Sequence, residues 1–251
     1  MEGSVFRSLD LAGATFDNVN LANATFNNVN LADVTIRDAN MSGLTIEGVS
    51  LEGMTIDGIR VRTLVEAEKD RLDPERDRLR MADPFDCEDV KRVMARLDEV
   101  RAAFYARLWD TPAEQLNHNS GPDAWSALEH TRHMVFAEEL YTDRWILRND
   151  RPWSKLGMLP PFLEHETSYA DVGVEPTGDL ETVLAAWDAA HAETHAFLAN
   201  VTLEDLCTDT REIDFGQNTI AGILQGLANH DLLHIRMAEA ALERAADIED
   251  Q

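Results

Sequence analysis

The sequence predicts a chain of unlike parts: a short repeat-built solenoid over residues 1–61, a helical cap or linker over 62–85, and a four-helix bundle over 86–251. Three observations predict it. A five-residue period runs through residues 6–61. Four long segments of helical periodicity follow residue 86. Between the second and third of them lies a connection of roughly thirty residues carrying four prolines, the length of a crossover or a functional loop rather than of a tight turn.

The repeats come first because a fixed short period overrides any other reading. Written in fives from Phe6 the chain reads FRSLD, LAGAT, FDNVN, LANAT, FNNVN, LADVT, IRDAN, MSGLT, IEGVS, LEGMT, IDGIR. Every block opens on a large apolar residue, and neither the helical period of 3.6 nor the strand period of 2 accounts for it. The pattern resembles the pentapeptide-repeat family. That resemblance implies a right-handed quadrilateral β-helix with four pentapeptides per coil, which makes the fold class multidomain β + α. Positions twenty apart would then stack. Phe6, Phe26 and Ile46 form one wall, and Phe16, Ile36 and Ile56 the opposite one. Leu11, Leu31 and Leu51 face Leu21, Met41 and Val61. The result is under three coils, about 13 Å long at strand-like spacing.

Residues 62–82, RTLVEAEKDRLDPERDRLRMA, are charged and helix-favouring. A helix over Thr63–Arg71 is expected to cap the open end of the solenoid, with a short helix restarting at Asp73-Pro74 and ending by Asp83-Pro84. A plain linker is the alternative. The first bundle helix is expected over Glu88–Trp109, with Val90, Val93, Met94, Leu97, Val100, Phe104 and Leu108 on one stripe. The others are expected over Trp125–Arg148, Leu180–Asn200 and Thr219–Ala246.

Composition excludes several functions. A net charge of −25 disfavours binding to nucleic acid or to anionic membranes. No run reaches the roughly 20 apolar residues of a membrane span. The opening MEGSVFRSLD has neither the basic nor the apolar region of a secretory leader. Cys87 and Cys207 lack CxxC spacing and read as free thiols of a reducing cytoplasm.

All eight histidines fall in the helical part. In NHDLLHIRM, His230 and His234 stand four apart, so both rings leave one helix face close enough to chelate a single ion. Their stripe, with Ile223, Leu227, Met237 and Ala241, should face the bundle interior. Two imidazoles there are satisfied by a shared cation, or by local hydrogen bonds in a wet groove. The second helix opens AWSALEHTRHMVFAEEL, and the loop after it contains RPWSKLGMLPP. A Trp-Ser pair, a histidine eight residues beyond the tryptophan, HxxxH on the last helix and that loop together resemble the DinB/YfiT-like superfamily over about residues 86–246.

The resemblance implies an up-down-down-up four-helix bundle with a metal site of one histidine from the second helix and two from the fourth. Here these are His133, His230 and His234. His130 is an alternative ligand or an orienting partner, and Glu129 could orient the His133 ring. His191 and His195 on the third helix are further alternatives, with His191 also readable as a core or groove histidine. His118, Arg132 and Arg144 could hold an anionic substrate, or be solvated surface groups. The 149–178 loop, with Trp153, Phe162 and Tyr169, could close over the site or simply pack on the helices.

Three neutral imidazoles leave a divalent ion open positions, the arrangement of a catalytic site. Zinc is the default, with nickel, iron or manganese compatible. Characterised relatives add a low-molecular-weight thiol, so the resemblance implies a metal-activated thiol S-transferase of the mycothiol or bacillithiol type, acting on an electrophile. The repeats would serve docking or homodimerisation through an uncapped end. A silent metal-binding or scaffold protein is the alternative. Some pentapeptide-repeat proteins mimic DNA; residues 1–61 carry eight acids against three arginines, a net −5 that is sparse for such a mimic.

Overall fold

A computed structural model of the protein describes residues 11–26, 29–47, 49–81, 86–119, 121, 124–160, 163, 169–175, 178–214 and 216–249. The chain divides into two compact units, residues 1–47 and 48–251.

In the first unit the same turn recurs every ten residues. The amides of Ala14, Ala24, Val34 and Leu44 donate to the carbonyls of Leu11, Leu21, Leu31 and Met41. The third turn position has positive φ, whether it is Gly13, Asn23, Asp33 or Gly43, as a type II turn requires. The fifth residue of the preceding block explains the recurring asparagine. Asn20, Asn30 and Asn40 accept, through Oδ1, from the amides of Ala22, Ala32 and Ser42, so each side chain pins the next turn.

The side chains expected to fill a β-helix core are not packed. Leu11, Phe16, Leu21, Phe26, Leu31, Ile36, Met41, Ile46 and Ile56 lie between 45% and 63% exposed. Leu51 is half-buried, and Phe6 falls outside the described residues. The physical reason is that closed walls need ladder hydrogen bonds between coils. Within residues 11–47 no strand is present among the described residues, and the backbone bonds found are local turns.

The second unit contains the last repeats and the helices. The final block forms a hairpin instead of a coil. β1 (Thr55–Ile56) pairs antiparallel with β2 (Ile59–Arg60) around Asp57 and Gly58, both at positive φ, the backbone of a tight hairpin turn. Helix α1 (Val61–Leu72) follows at once, and α2 (Pro74–Arg78) starts behind an Asp73 N-cap that accepts from the Glu75 amide.

The α2 segment is tied down on the long helices, so residues 73–81 are no free linker. Glu75 takes two bonds of 2.6 Å from Arg96, and Asp73 takes two from Arg236. Leu79 and Met81 are buried. Their backbone is gripped by Gln225, which accepts from the Met81 amide and donates to the Leu79 carbonyl.

The long helices are α3 (Glu88–Trp109), α5 (Ala127–Glu138) with its π-helical continuation Glu139–Ile146, α6 (Leu180–Asn200) and α8 (Ile220–Glu249). α5 packs on α8 and α6, and α3 packs on the same two. The α3 stripe is buried at Val90, Val93, Met94, Leu97, Phe104 and Leu108, where helical spacing put it. On α8, Met237 is exposed, and the interior side runs through Leu227, Ala228, Asp231, Leu232 and Ile235. Short α4 (Ala113–Leu116) and α7 (Leu203–Thr208) complete the helices, and β3 (Thr210–Ile213) pairs antiparallel with β4 (Gly216–Thr219). Among the described residues no helix is long and apolar enough to cross a membrane.

The two cysteines correct the reading of free thiols. Cys87, just before α3, is bonded to Cys207 on α7, with Cα atoms 5.7 Å apart, inside the range a disulfide spans. The two are separated by 120 residues, so no local spacing could have paired them.

Candidate metal centre

Helix α5 begins by a capping box. The Ser126 hydroxyl accepts from the Glu129 amide, and the Glu129 carboxylate accepts from the Ser126 amide at 2.8 Å. The box sets the helical phase, so His130 and His133 follow within the next turns. Helix α8 then presents His230 and His234 one turn apart.

These rings converge. One ligand nitrogen each from His133, His230 and His234 lies within 4.8 Å of the others. Nε2 of His133 and Nε2 of His230 are 3.2 Å apart, and the His234 ring centroid is 4.4 Å from that of His133 and 4.5 Å from that of His230. Nδ1 of His133 lies 2.8 Å from the carbonyl of Met158. A carbonyl only accepts, so that nitrogen carries the proton and Nε2 keeps its lone pair. Trp125 covers the group, with its ring 5.0 Å from His133 and 5.3 Å from His130, and Tyr141 stacks 5.8 Å from His230.

The electrostatics keep the rings neutral. Burial pushes His133 down to about 3, helped by the charge of His230. His130 and His230 fall to about 4, chiefly from burial, and His234 falls further for the same reason and through its three histidine neighbours. Burial also raises Tyr141 to about 12, so its phenol stays protonated. Nδ1 of His230 is buried without a hydrogen-bond partner among the described residues, as are both oxygens of Asp231. Burial and the charge of Glu138 hold Asp231 well above the usual carboxylate range. One buried and two half-buried neutral imidazoles, each with a nitrogen within 4.8 Å of the others, are a ligand set, and they fit a divalent cation of the zinc class.

Other residues take different places from those expected. Glu129 is spent on the helix cap, and the orienting partner of His133 is the Met158 carbonyl instead. A backbone acceptor carries no sequence signal. His130 sits beside the centre, its Nδ1 3.1 Å from Nδ1 of His234, and outside the converging set. His191 and His195 are not alternatives for it, since they face Asp98 on α3. Arg132 is neither a surface group nor an anion clamp: it is buried, and donates to the carbonyls of Leu156, Gly157 and Glu175. Arg144 lies over the Trp153 ring and bonds the carbonyl of Asn149. His118 belongs to neither histidine cluster.

The described part of the 149–178 loop packs as a strap on α5. Trp153 and Tyr169 stack on Phe136 and on each other; Phe162 falls outside the described residues. The amide of Met158 also donates to the carbonyl of Arg132. Strap and helix are therefore bonded at the residue that positions His133.

A family model described as the DinB superfamily matches residues 60–238. A second, described as pentapeptide repeats in nine copies, matches residues 2–55. Searches of curated proteins and of solved structures return no match.

Proposed function

The chain belongs to the DinB superfamily, and on that premise we propose that its helical part is a metal-dependent enzyme, a thiol S-transferase of the mycothiol or bacillithiol type or a related detoxifying activity. His133, His230 and His234 would hold the ion, by default zinc, with nickel, iron or manganese compatible with the same donors. When bound, such an ion supplies the acidity that keeps a thiol as its thiolate near neutral pH. The protein's own residues do the rest. The strap carbonyl of Met158 fixes the His133 tautomer, Trp125 shields the rings from water, and the protonated Tyr141 phenol is a donor at the edge of the site.

The observation that carries this reading is the convergence of three neutral imidazoles with no fourth protein ligand in the set among the described residues, which leaves room for thiol and electrophile. The test begins with metal analysis of protein purified without a polyhistidine tag. The cobalt-loaded chain is then titrated with mycothiol, bacillithiol or glutathione while its visible spectrum is followed. A thiol-dependent spectral change together with conjugation of an electrophile supports the enzyme. A cobalt spectrum indifferent to every thiol removes it.

A second reading has its own support. His130 stands close enough to His234 to act as a fourth imidazole, which would close the coordination sphere and leave a silent metal-binding scaffold. The indifferent cobalt spectrum is its signature. The right-handed β-helix, the up-down-down-up helix order and a docking or homodimerising role for the repeats belong to the same proposal. The exposed row of Phe16, Phe26, Ile36 and Ile46 supports association. Light scattering of the full chain against a variant with those four changed to serine tests it.

A further inference from the structure

A second cluster of ligating side chains lies between α3 and α6. Nε2 of His191 is 2.7 Å from Oδ1 of Asp98, Nε2 of His195 is 3.0 Å from the same oxygen, and the two nitrogens are 3.0 Å apart. The i,i+4 spacing of the two histidines on α6 puts both rings on the side facing Asp98. Nδ1 of His191 is bonded to the fully buried Glu138. The other Glu138 oxygen accepts from the Thr194 hydroxyl at 3.0 Å, and that hydroxyl is 2.6 Å from the one of Thr142.

This pattern settles the proton on His191. Glu138 is kept ionised: burial is the largest single effect and opposes its charge, but the bond from His191, the charges of His191 and Arg101 and the bond from Thr194 together outweigh it. The His191 proton on Nδ1 is thus committed to a carboxylate, and Nε2 turns outward. A carboxylate bonded to one ring nitrogen while the other faces two further donors is the orienting arrangement of histidine metal ligands. Protons alone serve the trio poorly. One on each Nε2 crowds two N–H groups 3.0 Å apart against a single oxygen, whereas one cation satisfies all three lone pairs.

We infer that Asp98, His191 and His195 form a second divalent-cation site, of the zinc class, distinct from the one at His133, His230 and His234. The distances suit it. A tetrahedral ion with bonds of about 2.0–2.1 Å keeps its ligand atoms about 3.3 Å apart; the two edges at 3.0 Å are close to that, and the Asp98–His191 edge, at 2.7 Å, opens by about half an ångström when an ion replaces the proton. Access suits it as well. The side chain of His191 is 9% exposed, while those of Asp98 and His195 are 42% and 44% exposed, so an ion enters from solvent and water completes its shell. The strongly acidic chain raises the local concentration of cations.

The site is independent of the proposed activity, and its test keeps the two apart. The full-length, tag-free chain is stripped with a chelator and titrated with zinc against a chromophoric indicator. Wild type is expected to take up two equivalents. His195→Ala and Asp98→Asn, both at partly exposed positions that preserve the fold, take up one, His230→Ala takes up one, and His195→Ala combined with His230→Ala takes up none. Circular dichroism confirms that each variant remains helical. If wild type, His195→Ala and Asp98→Asn bind the same number of equivalents, the second site does not exist, whatever His230→Ala shows.

Discussion

The carbonyl of Met158 stands 2.8 Å from Nδ1 of His133, so the strap between π-helix and α6 decides which nitrogen of that ring points at α8. Strap and metal centre are therefore linked, and a lesion at one should be read at the other. Gly173 offers the cleanest lesion. It sits at φ +65°, and a Cβ there would lie 2.4 Å from the carbonyl oxygen of Gly157. The backbone strain falls on Gly173 itself, and the collision pushes on the residue preceding Met158. Gly173→Ala should destabilise the metal-free chain by about 1–3 kcal/mol and weaken zinc binding roughly 10-fold. Urea unfolding and a competition titration measure the two effects. Unchanged affinity at lowered stability would separate the strap from the centre.

Arg132 makes a sharper distinction between structure and substrate binding. Its guanidinium is used on three strap carbonyls, those of Leu156, Gly157 and Glu175. Arg132→Leu strands one buried and two partly buried acceptors and should cost on the order of 2–4 kcal/mol in unfolding free energy. An anion-binding arginine would instead leave stability near that of wild type and raise KM.

Acid should unfold the metal-free protein early. His133 is pushed to about 3, and His130 and His230 to about 4, all below the unfolded value of about 6.5. The unfolded chain therefore binds more protons, and the stability from neutral rings is complete above pH 6.5 and lost as pH falls toward 4. The slope is on the order of 1 kcal/mol per pH unit for each ring that stays neutral. His191 runs the opposite way. Burial lowers it, but its bond to Glu138 and that residue's charge raise it overall, so its contribution fades as pH rises. Denaturant unfolding of chelator-treated protein between pH 7 and 5 reads the balance. Stability that is flat over that range would mean the four clustered rings are solvated.

The Cys87–Cys207 bridge closes a separation of 120 residues, and a loop of that length is restrained by about 4–5 kcal/mol in the chain-entropy account. Cys207→Ala should lower unfolding free energy by about 2–5 kcal/mol. Reductant should destabilise wild type and leave the variant unaffected. Equal sensitivity of both to reductant would place the effect elsewhere.

How much of this was legible varies with the range of the interaction. The α3 stripe from Val90 to Leu108 was readable because helical burial is periodic. His230 and His234 were readable as a chelating pair because i,i+4 rings share a face. The turn asparagines Asn20, Asn30 and Asn40 show their bond in the repeat itself. The Met158 carbonyl and the Arg132 clamp were not readable. Each depends on backbone positions brought together from distant segments, and backbone groups are the same at every residue. The role given to Glu129 failed for a related reason, since four-residue spacing to His133 competed with a local capping box and the cap prevailed.

By itself the sequence determined the five-residue period, the helical segments, and the histidine pairs on α5, α6 and α8, because each is written in local periodicity. Tertiary structure decided the rest: that His133 joins His230 and His234, that His191 and His195 turn instead to Asp98 and Glu138, and that Cys87 meets Cys207. Spacing along one helix fixes which side chains share a face. Only packing between helices fixes what that face meets.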